Sequence, residues 1–311
     1  MKFRKKLLRT SLLIAGTFLL LLSGCQSVFL PPTEAETQSP AITNTPVIEA
    51  SISPTPTEIS GPMAAIVNGE GIPLDFFDSE VARYKLAMQN LGVELPAEEV
   101  IIETVLNDLI EQLLLSQAAR EGGYELTDAL IAERTTNLAE EMGGQAVLDE
   151  WMVAQGYTPQ QFETSMRLSI GAAWQRNAII ETVPEAVEQV HARQIFARTE
   201  AGANRAFTSL NSGAEFDDLA WEFNPETGGE LGWFSRGYLT VPQVEEAAFT
   251  LPVGQYSEII ASELGYHIVM VIESSDSRLL TTDALQTLQR QALSDWITAA
   301  VDKAQIEVLV P

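Results

Sequence analysis

The chain has 311 residues, room for one large domain or two to three small ones. Apolar residues are 46% and charged residues 20%, so most of the chain can bury a core. Lys and Arg number 18 against 43 Asp and Glu, a formal charge of −25, which argues against nucleic acid as a partner, because such binders displace phosphate counterions with cations. The single cysteine, Cys25, rules out an intrachain disulfide and a Cys-rich zinc site, and two histidines, His191 and His267, argue against a histidine metal centre. No metal or cofactor is expected.

Lys2, Arg4, Lys5, Lys6 and Arg9 form a basic start, and Ser11 to Leu22 is an apolar run too short to span a bilayer comfortably. Leu22-Ser23-Gly24-Cys25 follows and resembles a bacterial lipobox. That resemblance implies a signal peptide over 1–24, cleavage before Cys25, and acyl chains such as palmitate carried from the Cys25 thiol. Cleavage removes five cations and no acid, which leaves 13 cations against 43 acids. A surface so acidic repels anionic headgroups, so the lipid rather than the domain surface would hold the protein to a membrane.

Residues 26–62 contain 7 Pro, 6 Thr and 5 Ser with no Lys or Arg. Proline fixes φ and removes donors, so neither helix nor sheet propagates. With Cys25 this stretch (25–62) reads as a tether, and a flexible chain of that length spans on the order of 35 Å.

Ala64 to Ile72 predicts a short strand running into an Asn68-Gly69 turn. Helical periodicity covers Asp75–Leu91, with Phe77, Val81, Tyr84, Met88 and Leu91 on one face, and Ala97–Arg120, with Val100, Val105, Leu106, Leu109, Ile110, Leu113 and Leu114. Thr127 caps a third helix to Glu140, Gln145–Gln155 is a fourth, and Thr158-Pro159 opens a fifth to about Ile179. Their Met and aromatic stripes read as core. The strings Ile66–Glu70, Val105–Leu114 and Ala118–Gly122 resemble the N-terminal helical domain of SurA chaperones and PrsA-type foldases, over about 63–182. In those families a late helix packs back on this domain, a part that Thr282–Lys303 fits, and the run Ile306–Val310 can pair as a strand.

The middle segment has another rhythm. Val190–Ala197 is a strand, Glu200–Asn211 a helix, and Gly213–Ala220 opens a further helix. Gly228-Gly229-Glu230-Leu231-Gly232-Trp233-Phe234 follows, then a helix Pro242–Phe249, the turn Gly254–Ser257, and a strand Gly265–Ile272. The glycine string, the turn and the Gly265-Tyr266-His267-Ile268 string, in that order, resemble the parvulin family of peptidyl-prolyl cis/trans isomerases. The resemblance implies an α+β fold: a parvulin-like domain with a four-stranded antiparallel sheet and surrounding helices, inserted between N- and C-terminal segments of a helical chaperone domain. The expected boundaries are 63–187 for the helical domain, 188–274 for the isomerase and 275–311 for the returning helix and strand.

Residue by residue, the resemblance puts Leu231, Phe234, Leu239 and Val244 at the proline-binding cup. It puts His267 at the second of two paired histidines and Ser262 at the hydroxyl that bonds the pair. Gln194 stands where the first histidine is usual. Glu226 falls near a family Cys or Asp, across a shortened loop, and joins the catalytic set with His267, Gln194 and Ser262. His191 does not replace the missing histidine, since an odd separation along a strand puts it on the opposite face. The phospho-specific subfamily has a basic loop after the first strand, whereas Ala197–Ala203 carries one cation, Arg198, so phosphorylated substrates are not expected.

Turning an X-Pro bond needs no cofactor. The barrier, about 20 kcal/mol, comes from amide conjugation, and a cup that favours the twisted amide lowers it. The implied activity is that of a membrane-anchored, extracytoplasmic foldase of a bacterium, acting on unfolded or partly folded exported polypeptides with X-Pro bonds. The alternative is a holdase chaperone whose isomerase domain has reduced or lost activity, which Gln194 favours.

Overall fold

The computed structural model describes residues 61–310. The expected signal peptide, Cys25 and the tether as far as residue 60 lie outside the described residues. The chain divides into two compact units, and the second, Ala173–Ala300, is inserted between the parts of the first that end at Ala172 and resume at Val301.

The first unit begins with a hairpin, β1 (Met63–Val67) and β2 (Glu70–Pro73). Asn68 and Gly69 take φ of 53° and 82°, the left-handed pair that a two-residue turn needs to match strand twist. A late strand, β7 (Ile306–Val308), pairs antiparallel with the other edge of β1, Ala65 opposite Val308 and Val67 opposite Ile306. Asn68 secures the junction: its N–H donates to Gln305 O and its side-chain oxygen accepts from Gln305 N, both at 2.9 Å.

Five helices follow: α1 (Leu74–Asn90), α2 (Glu98–Glu121), α3 (Asp128–Met142), α4 (Gln145–Ala154) and α5 (Pro159–Glu181). Thr127 caps α3, its hydroxyl accepting from Leu130 N at 3.2 Å. Thr158 and Gln161 satisfy each other's backbone N–H groups at the start of α5, each bond 3.2 Å. The apolar stripe of α2 is buried from Ile101 through Leu114. Leu91 and Val100, expected on apolar faces, are instead 63% and 43% exposed, both flanking the loop between α1 and α2. A second small core gathers Ala139, Leu148, Tyr157 and Phe162, with Trp151 stacked on Tyr157.

The second unit is built on a four-stranded antiparallel sheet, order β4-β3-β6-β5, from β3 (Ala186–Ala197), β4 (Glu230–Ser235), β5 (Ile260–Ser262) and β6 (Gly265–Leu279). The two central strands run longer than their apolar patterns suggest. The register shifts between His191 and Ala192, and the extension pairs Val190 with Ser274 and Ala186 with Leu279. The β6 extension, from Glu273 to Arg278, is polar and mostly exposed and carries no apolar alternation to read. The domain edges expected at 188 and 274 therefore fall inside strands. Four helices complete the unit's elements: α6 (Glu200–Asn211), α7 (Phe216–Phe223), α8 (Pro242–Thr250) and α9 (Thr282–Lys303), the last of which runs on past the unit's edge.

Alternation on the central strands sends side chains to two cores. Ile195 and Ile268 pack with Ala206, Leu210, Phe216, Leu219 and Ala220 from α6 and α7. Val190, Ala192, Val269 and Val271 pack with Phe234 from β4 and Val244 and Ala248 from α8. The candidate site lies on this second face.

Candidate active site

Residues directly opposite each other in an antiparallel pair share a face. Gln194 faces Val269, and His267 faces Phe196 on one side and Ile260 on the other. All these therefore project to the side of the sheet that α8 covers.

There His267, 3% exposed, sits in a short row of hydrogen bonds. Its Nδ1 lies 2.8 Å from Gln194 Oε1 and its Nε2 lies 2.8 Å from Ser262 Oγ. An amide oxygen only accepts, so Nδ1 carries the proton and Nε2 accepts from the hydroxyl. Burial pushes the imidazole below its ordinary value of 6.5, which agrees with this neutral tautomer. The Phe196 ring lies 5.0 Å from the imidazole, tilted by 44°. Leu264 N donates to Ser262 Oγ at 3.1 Å and fixes the hydroxyl at the tight turn between β5 and β6.

Gln194 is held from behind. Its backbone N–H donates to Gly229 O at 2.8 Å, and a Cβ on Gly229 would come within 1.8 Å of Gln194 O. Gly229 also takes φ of 70°. The glycine string before β4 is thus a close backbone approach to the site strand.

The four expected cup residues meet in one apolar cluster. Phe234 and Val244 are 0% and 2% exposed and form its floor. Leu231 and Leu239 are half-buried against it, beside Ile260, the cross-strand neighbour of His267. Gln194, His267 and Ser262 are likewise brought together. Glu226 is not: it is exposed on the turn after α7, and no hydrogen bond joins it to those three among the described residues. His191 is engaged on the other face, its Nε2 at 2.5 Å from Glu230 Oε1 and its ring stacked on Trp233.

Three supports escaped the sequence reading. Glu245 on α8 accepts three backbone N–H bonds, from Gly237 at 2.8 Å and from Tyr238 and Leu239 at 3.0 Å each, and so holds the loop that carries Leu239. Its signal was a carboxylate in the first turn of a helix that follows a glycine-containing loop. Asn224 accepts from Phe196 N at 3.0 Å and anchors the turn after α7 to β3. Arg205, one and a half turns into α6, joins Arg198 and Glu226 around an open cavity of about 570 Å³ that Phe196 also lines.

Comparison with known proteins places this geometry. The family model of the PPIC-type PPIASE domain matches residues 179–273, and that of the SurA-like N-terminal domain matches residues 49–173. The Foldase protein PrsA of Caldanaerobacter subterraneus subsp. tengcongensis is 26% identical over 234 residues, 68% of this chain and 73% of that one. The Chaperone SurA of Nitrosospira multiformis is 32% identical over 153 residues, 41% of this chain, so the chain spans about a third of that relative (33%). Among solved structures, a peptidylprolyl isomerase (PrsA) from Bacillus cereus aligns with a TM-score of 0.44 and 21% identity, covering 80% of this chain and 94% of that one. The two matched segments lie in order along one chain, with the strands, cup and histidine row in the second: this protein joins a SurA-like N-terminal domain to a PPIC-type peptidyl-prolyl cis/trans isomerase domain.

Proposed function

We propose that the protein is an extracytoplasmic foldase, held to a bacterial membrane by a lipid on Cys25, that speeds cis/trans isomerisation of X-Pro bonds in unfolded or partly folded exported chains. The observation that carries this reading is the row Gln194–His267–Ser262 running beside the Leu231, Phe234, Leu239 and Val244 cluster on one sheet face. The proline ring buries against Leu231 and Leu239 over the floor of Phe234 and Val244. Both imidazole nitrogens are engaged, so His267 fixes its neighbours and transfers no proton. Gln194 Oε1 is occupied by His267, which leaves its amide N–H groups to donate to a substrate carbonyl. The amide then twists in a dry cup that fits the twisted form better than either planar form.

The test is a proline-isomerisation assay on a non-phosphorylated tetrapeptide with the lipid-free protein. Acceleration that Leu239→Asp abolishes supports the reading; no acceleration by folded protein overturns it. The second reading, a holdase with a silent isomerase domain, draws on Gln194 at the first histidine position and on the likeness to a protein named Chaperone SurA. It predicts suppressed aggregation of a proline-free client without any isomerase activity. For the anchor, Cys25→Ala should release the protein from membranes, and mass spectrometry that finds an unmodified Cys25 in membrane-bound mature protein would refute it.

A further inference from the structure

The loop between β4 and α8 carries Leu239 into the cup, and two carboxylates hold its stretch Gly237–Leu239. Glu245 takes the backbone N–H groups of Gly237, Tyr238 and Leu239. The second is Asp283, in the first turn of α9, whose Oδ2 accepts from the Tyr238 hydroxyl at 2.9 Å. Asp283 lies beyond residue 273, where the match to the isomerase family ends.

We propose that Asp283 is a positioning residue of the proline cup: through Tyr238 it sets where Leu239 stands, and the start of α9 is therefore part of the working isomerase. Tyr238 is half-buried, packs its ring against the same apolar cluster as Leu231 and Leu239, and ends in the bond to Asp283. Both the ring and the hydroxyl are thus fixed, and the neighbouring Leu239 shares a rigid peptide plane with it. The loop also rests on α9 one turn later, since a Cβ on Gly237 would touch Leu288 Cδ2 at 3.4 Å. Asp283 stands in the first turn of α9, where a helix N-terminus favours a negative charge. The same bond, with burial and the charge of Asp283, raises the Tyr238 phenol above its ordinary value of 10.0.

This inference rests on the isomerase reading for its kinetic arm only. Leu239 touches the proline ring in planar and twisted states alike, so loosening it weakens both equally. Tyr238→Phe and Asp283→Ala should each raise KM by about two- to tenfold with kcat nearly unchanged. Asp283→Asn, which keeps an acceptor oxygen, should recover part of the loss, and the double variant Tyr238→Phe with Asp283→Ala should be no worse than either single one. Asp283→Asn should also lower the phenol titration that Tyr238→Phe removes from the ultraviolet difference spectrum. Unchanged KM, or additive losses in kcat, would overturn the proposal. Amide hydrogen exchange at Gly237, Tyr238 and Leu239 decides the case without turnover. Faster exchange in Tyr238→Phe and Asp283→Ala supports the clamp even if the wild type isomerises nothing, an outcome that would sink the isomerase reading alone. Unchanged exchange there refutes the clamp whatever the activity.

Discussion

Gln194 Oε1 and His267 Nδ1 meet at 2.8 Å across β3 and β6, so the one proton of a buried imidazole is held by a group that does not titrate. Gln194→Leu removes the acceptor and leaves that N–H buried and unpaired. It should cost about 1–3 kcal/mol of stability and lower kcat/KM, checked by denaturant unfolding and the tetrapeptide assay. Gln194→His restores an acceptor at the same strand position and should raise or preserve kcat/KM.

Because burial already keeps His267 neutral, isomerisation should stay flat as pH falls from 8 to 6.5. Stability should respond below that. The unfolded imidazole takes its proton near 6.5 and the folded one only at lower pH, so the unfolded state binds more protons and stability is lost as pH falls through this window. Thermal melts of wild type and His267→Gln compared from pH 8 to 5 should show the wild type losing ground only below about 6.5. Parallel curves would contradict the burial argument.

Removing a single hydrogen-bond partner should matter less than spoiling the cup. His267→Ala should lower kcat/KM by about five- to thirtyfold, the equivalent of about 1–2 kcal/mol. Leu239→Asp places a charge where the ring must bury and should cost more. Equal losses in the two variants would mean the histidine row outweighs the cup.

Gly229→Ala tests the backbone approach behind the site. The new Cβ meets Gln194 O, not a yielding side chain, and the positive φ adds strain. The strands must part, so we expect a loss of about 2–4 kcal/mol in thermal unfolding, with Gln194 displaced and activity reduced. Gly69→Ala, at the open hairpin turn of the other unit where a Cβ meets nothing, should cost less, about 1 kcal/mol from its positive φ alone.

Asp108 offers a prediction of opposite sign. Burial on α2 pushes its carboxyl from 3.8 up to about 6, so the folded state favours the protonated form. Its contribution to stability is present in full below pH 3.8 and is lost as pH rises through 6. Asp108→Asn should therefore match the wild type near pH 4 and exceed it at pH 7 by on the order of 1–2 kcal/mol, after allowance for partial exposure. Denaturant midpoints at the two pH values measure it.

The helices were legible because they are written in local terms. Period 3.6 marks α1 to α5, and a Thr before each start of α3 and α5 marks the caps. The expected cup residues came from the parvulin resemblance that three glycine-bearing strings carry, and the four meet in one apolar cluster. What escaped was non-local. The outer half of β6 pairs through largely exposed polar residues, where alternation carries no apolar mark. Glu245 reads as one more surface acid until the fold shows three N–H groups converging on it. Arg205 falls just outside a window drawn along the chain, yet helical winding returns it to the cavity of Arg198. Glu226 shows the converse: position in a motif suggested a role that its exposed turn does not support with a contact.

The strand β7 imposes an order of events. The Asn68–Gln305 junction joins residues 237 apart, and β1 has no other partner on that edge among the described residues. A chain that emerges N-terminus first delivers the inserted unit in full before β7 appears. The isomerase sheet, whose four strands all lie between, can close while the first sheet still waits with one side of β1 open. The catalytic half can thus form before the helical half is complete, with an unpaired strand edge bared in the interval.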